Sequence, residues 1–317
     1  MFRRPYRNRL PNNSSWKSLL LFVFLILAPS SGSAQSETLS IVTTVPVLKD
    51  FVEQIGGTRV TAKSLISGPD VYKPNPVDLL SVKQARMFVK VGLGLETWVD
   101  DLLRDAGNRS LLTVTASEGV PLIKNTEEPE NSELVRPKET FKERHSMGNP
   151  HIWLDPENAK TMVRHITDGL IRIDPQHRGE YLQHQSDYLK ILNSLEDTIK
   201  RKVRALPDRR IITYHSDWPY FTRRFGFTVE GTLVDPARAD SSDGNLQALI
   251  ERIRKKRIRV LVSEPQLDPQ RPNRLAQETG IKILILSPLP GVIPGTETYA
   301  DLIRYDADQL ISALGEH

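Results

Sequence analysis

Residues 175–206, PQHRGEYLQHQSDYLKILNSLEDTIKRKVRAL, contain no glycine after Gly179 and no proline after Pro175. Nothing in the run breaks a helix, and at 1.5 Å per residue it reaches roughly 45 Å. That is longer than one small lobe needs. The stretch is therefore expected to be a stiff strut between two halves.

Each flank of this stretch repeats one pattern. Before it, short apolar runs LSIVTTV (39–45), RVTAKSLI (59–66), MFVKVG (87–92) and LLTVTA (111–116) alternate with helical segments such as PVDLLSVKQA and ETWVDDLLRDAG. PENAKTMVRHITDGLIRI (156–173) is a further helix leading into the strut. After it come RIITYH (210–215), FTVEGTL (227–233), RVLVSEP (259–265) and KILILSP (282–288), again with helices between. Strands alternating with helices of about ten residues make parallel sheets covered on both faces. The predicted fold is α/β: two lobes, each a mostly parallel sheet flanked by helices, joined by one long rigid helix. The expected boundaries are a leader at 1–34, an N-terminal lobe at 35–155, a helical connector at 156–206 and a C-terminal lobe at 207–317. Residues 125–147 are charged, lack an apolar period and read as a mobile surface loop.

The leader has three parts. Five basic residues and no acid precede LLLFVFLILA (19–28), and small residues then allow a cut after Ala34. This is the layout of a cleavable secretory signal, and the apolar run is shorter than the ~20 residues of a membrane span. Removing it takes five of the 43 basic residues and none of the 39 acidic ones, so the high isoelectric point belongs partly to the leader. The remainder has no nucleic-acid footprint. RIRKKRIR (252–259) reads as a helix end, where cations suit the dipole, with a partner-docking patch as the alternative. The chain has no cysteine, which excludes thiolate zinc sites, cysteine nucleophiles and a cysteine-linked lipid.

In open parallel sheets ligands gather at the C-terminal ends of the strands. His215, Glu264 and Ser287 end strands of the second half. Asp70 and Tyr72 follow a strand of the first, and His151 opens the segment after the charged loop. Two imidazoles and one or two carboxylates suit a divalent cation. Each residue also has a structural reading. His151 and His215 are possible loop-tying rings, Asp70 a turn residue, and Glu264 and Ser287 caps. His165, His177 and His184 sit on helices and read as packed or solvated. Trp98, Trp153 and Trp218 read as core or lobe-interface anchors.

YKPNPVDLLSVKQARMFVKVGLGLETWVDDLL, GNPHIWLDPENAK, IITYHSDWPYFTRRFGF and VLVSEPQLDPQRPNRLAQETGIKILILSPL occur in the order and spacing of a known family. The chain resembles the zinc and manganese receptors of ABC transporters, the cluster A-I solute-binding proteins, over roughly 39–314. The resemblance implies two lobes with a cation between them and four ligand positions. GPDVYKPNP puts Asp70 where the family has histidine. His151 and His215 match the second and third positions. LILSPL puts Ser287 where aspartate is usual, and Glu264, one strand away, is expected to take over. The implied metal ligands are thus His151, His215, Asp70 and Glu264, with Zn, Mn or Fe as transported ligand. The implied role is that of a periplasmic, non-lipidated, monomeric receptor, not an enzyme, which delivers metal to a membrane permease. Two alternatives stay open: a receptor for a metal chelate such as a metal–siderophore complex, with Tyr72, Trp153 and Trp218 lining a larger pocket, or a metal-dependent hydrolase.

Overall fold

The structure, a computed structural model, describes residues 38–66, 72–123, 148–234 and 243–315. The leader 1–34, Asp70 and the loop 125–147 lie outside the described residues.

The described residues form two four-stranded sheets, and every strand pairing among them is parallel. The first has the order β2-β1-β3-β4, built from β1 (Leu39–Thr43), β2 (Val60–Ser64), β3 (Met87–Lys90) and β4 (Leu112–Thr115). The second has the order β6-β5-β7-β8, built from β5 (Arg210–Thr213), β6 (Thr228–Thr232), β7 (Val260–Ser263) and β8 (Lys282–Ile285). The halves share one winding. In each, the direction of winding reverses beside the first strand, which opens a crevice at the strands' C-terminal ends.

The first half supplies helices α1 (Pro46–Gly56), α2 (Pro76–Gln84) and α3 (Val99–Ala106). Between the sheets run α4 (Pro156–Ile173) and α5 (Arg178–Arg204), and the second half adds α6 (Pro219–Phe225), α7 (Asp243–Lys256), α8 (Gln270–Thr279) and α9 (Tyr299–Gly315). Proline at the first turn of α1, α2, α4 and α6 fits a position where no N–H is needed. The expected helix at 96–107 begins later, at Val99. Glu96 is drawn back to accept from Thr44 Oγ1 (2.6 Å) and from the backbone N–H of Val91 (2.7 Å) and Gly92 (2.9 Å).

The long helix α5 buries Tyr181, Tyr188, Leu192, Leu195, Ile199 and Val203, one stripe at spacings of three, four and seven. It is less a strut in solvent than a spine laid across both halves. One core contains residues of both sheets together with this stripe, including Ile41, Val89, Leu192, Val260 and Leu284. Asp50 of α1 ties that core together, accepting from Tyr188 Oη (3.2 Å) and the Tyr299 N–H (3.0 Å). RIRKKRIR ends α7 and leads toward β7, where Arg252 donates to the Glu230 carbonyl and Arg254 to that of Glu278. No helix of the described residues is long and apolar enough to cross a membrane.

Candidate metal centre

His215 follows β5 by two residues and Glu264 follows β7 by one, so the two flank the switch point of the second sheet. His215 Nε2 lies 3.6 Å from Glu264 Oε1. Glu264 is 3 % exposed, and Gln266 Nε2 donates to its other oxygen at 2.6 Å. Burial pushes its carboxyl up to about 7; His215 opposes that rise and Asp217 adds to it.

Asp217 was not singled out in the sequence. It stands between the two imidazoles, with Oδ1 3.4 Å from His215 Nδ1 and Oδ2 3.4 Å from His151 Nε2. His215, Asp217 and Glu264 each offer one ligand atom within 4.8 Å of the others. His151 joins this group only through Asp217. Burial pulls the His151 imidazole below its ordinary range, against the pull of Asp217 and with the help of His215. The sequence carried one signal for Asp217: a carboxylate two residues past a strand-end histidine. It sits in DWPYF, which reads as a helix start and so draws the aspartate into a capping role.

The segment carrying His151 is held chiefly by the second half. Asn149 Nδ2 donates to the Ser216 carbonyl (2.8 Å), and Tyr220 Oη donates to the Asn149 carbonyl (2.9 Å). Trp153 Nε1 donates to the Pro288 carbonyl (2.7 Å), while Tyr299 Oη donates to the Trp153 carbonyl (2.7 Å). Asp155 caps α4 through the Glu157 N–H (2.9 Å) and accepts from Arg224 Nε (2.5 Å). Behind it, Glu196 of the spine binds Lys160 (2.9 Å) and Arg224 (3.3 Å).

The remaining candidates separate from this centre. The Ser287 hydroxyl donates to the Leu289 carbonyl (3.0 Å) and accepts from the Leu289 N–H (3.1 Å), closing a turn that leaves little for a cation. His165, His177 and His184 bind the Ala116 carbonyl, the Asp174 carboxylate and the Ile55 carbonyl through Nδ1. Trp153 and Trp218 are each 2 % exposed. Tyr72 packs on Trp98 at 4.6 Å and donates to Asp78 Oδ2 (2.5 Å), so these three aromatics do not line a chelate-sized pocket.

Asp306 of α9 is fully buried. Its Oδ1 is 3.5 Å from the Ser287 N–H, its Oδ2 has no hydrogen-bond partner, and burial pushes its carboxyl far up, with nearby Glu264 adding to the rise.

Comparison with known proteins gives a consistent picture. The family model described as "Zinc-uptake complex component A periplasmic" (ZnuA) matches residues 41–313. The chain is 24 % identical to the manganese-binding lipoprotein MntA of Halalkalibacterium halodurans, covering 94 % of this chain and 98 % of that protein. It is 26 % identical to the high-affinity zinc uptake system protein ZnuA of Bacillus subtilis, with the same coverage. A crystal structure of ZnuA superposes with a TM-score of 0.74 at 23 % identity, over 87 % of this chain and 99 % of that one, which makes the fold the same.

Proposed function

The chain belongs to the ZnuA family of metal receptors that serve ABC transporters, and from that premise we propose that it captures a divalent cation at the strand ends of its second sheet and hands it to a membrane permease. The observation that carries the proposal is the meeting of His151 and His215, 64 positions apart in sequence, on one carboxylate beside Glu264. Neutral imidazole and carboxylate together suit Zn, Mn or Fe as cargo. His151, His215 and Glu264 are the proposed ligands. Asp70 is kept as a fourth on the strength of its place in GPDVYKPNP.

The metal is cargo, so the chain's residues bind and release it without turnover. The anchored His151 segment and the shared core favour a preformed site that tightens locally around the ion. We further propose the sequence divisions 35–155, 156–206 and 207–317. Export to the periplasm would use the leader at 1–34, without a thioether lipid because there is no cysteine, unlike the relatives called lipoproteins. The receptor would work as a monomer. Neither a chelate receptor nor a hydrolase has an observation in its favour.

Calorimetric titration of the purified protein with Zn²⁺ and Mn²⁺ tests the assignment. His151→Ala and His215→Ala should each lose at least about 100-fold in affinity. Unchanged affinity in both variants would refute it.

A further inference from the structure

The unexplained residue of the centre is Asp217, and its surroundings constrain its role. Asn149 sets the first constraint. Its Nδ2 is committed to the Ser216 carbonyl (2.8 Å), so Oδ1 is the atom that faces His151. That oxygen accepts the His151 backbone N–H (3.0 Å) and lies 3.1 Å from Nδ1. Nδ1 must therefore carry the ring hydrogen, and Nε2 presents a lone pair. The lone pair faces Asp217 Oδ2 at 3.4 Å. Two acceptors aimed at each other repel unless a cation stands between them.

His215 repeats the situation. Its two nitrogens face two carboxylates, Asp217 at 3.4 Å and Glu264 at 3.6 Å. A neutral ring has one N–H, so with both carboxylates ionised one of these approaches again sets acceptor against acceptor. His215 Nδ1 and Glu264 Oε1 are buried and have no hydrogen-bond partner. The separations are too long for hydrogen bonds. The two around Asp217 match another geometry: ligands about 2.1 Å from one tetrahedral ion lie about 3.4 Å from each other, while Glu264 faces the other nitrogen of the His215 ring.

We propose that Asp217 is a metal ligand, and the one that joins the two imidazoles into a single coordination set, with one oxygen toward each ring. This rests on the receptor reading above and deepens it. With Glu264, whose ligand atom lies within 4.8 Å of those of His215 and Asp217, this brings two nitrogens and two carboxylates together among the described residues, to which Asp70 would add a fifth donor. Asp217, from the loop after β5, thus joins Glu264 in making up for the carboxylate missing at Ser287.

The test compares Asp217→Asn, Asp217→Glu and His215→Ala with the unaltered protein. Zn²⁺ and Mn²⁺ are titrated calorimetrically, and Co²⁺ is added as a spectroscopic probe whose visible bands report the donor set. Asp217→Asn should lose at least about 30-fold in affinity for both cargo ions and alter the Co²⁺ spectrum, with Asp217→Glu in between. Circular dichroism of the metal-free variants separates this loss from misfolding, and Asp217 lies in a loop with its side chain only partly buried. Wild-type affinity and Co²⁺ bands in Asp217→Asn, alongside failure of His215→Ala, would overturn the proposal and leave the receptor standing. Unchanged binding in both variants would overturn the receptor's site as well.

Discussion

Asp306 is a carboxylate whose charge meets no cationic partner among the described residues. One oxygen meets a distant backbone N–H and the other meets nothing. Its folded carboxyl titrates far above the roughly 3.9 of an unfolded chain. Below about pH 4 the group is protonated in both states and costs nothing. As pH rises, the unfolded chain ionises first and stability drains away until the folded value is passed. Asp306→Asn removes this loss, so its stability relative to wild type should grow between pH 4 and pH 7. The gain is about 1.4 kcal/mol for each pH unit separating the two values, read by urea denaturation at both pH values. A gap that stays constant with pH would mean Asp306 is ionised in the fold. At this scale the sequence was partly legible. His215 and Glu264 stand out because strands end just before them, and His151 because it interrupts an apolar segment. Asp217 and Asp306 stayed hidden, since a helix-start aspartate and one on an amphipathic helix each have an ordinary explanation, and only the fold brings them to the centre.

Among the elements, the segment from Asn149 to Asp155 is the best secured. Its bonds run to the loop before α6, to α6 itself, to the turn after β8 and to α9. Arg224 links it to Glu196 of the spine. Arg224→Ala leaves two largely buried carboxylates without this cation. It should destabilise the protein by about 2–3 kcal/mol, below a wholly buried pair because the guanidinium keeps an edge in solvent. It should also weaken metal binding, because His151 loses its footing. Leu192→Ala on the spine is the control. A cavity there costs about 3 kcal/mol and should leave affinity in the folded protein unchanged. Denaturant melts and calorimetry on the same samples distinguish the two. The strands and the spine were legible because periods of 2 and 3.6 survive in a single sequence. The late start of α3 was not, because it depends on a carboxylate reaching back to three partners upstream.

At the scale of the molecule, two sheets of identical winding share one interior. The alternation of strands and helices announced two halves, but nothing in the sequence announces that their cores merge. That depends on which face the spine presents to each sheet. A merged interior predicts one cooperative transition, with tryptophan fluorescence and far-ultraviolet circular dichroism coinciding across a denaturant titration. Metal at a hundredfold its dissociation constant should raise stability by about 2.7 kcal/mol while leaving the radius of gyration in solution scattering unchanged. Two separated transitions would show that the halves melt independently.

The spine running behind both sheets has a consequence for whatever receives the metal. A body braced along its back resembles a vise cast in one piece more than a pair of leaves on a pin. A loaded molecule and an empty one would then present nearly the same silhouette. A membrane partner would have to tell them apart at the jaws, by the charge the ion cancels and the few side chains it draws inward.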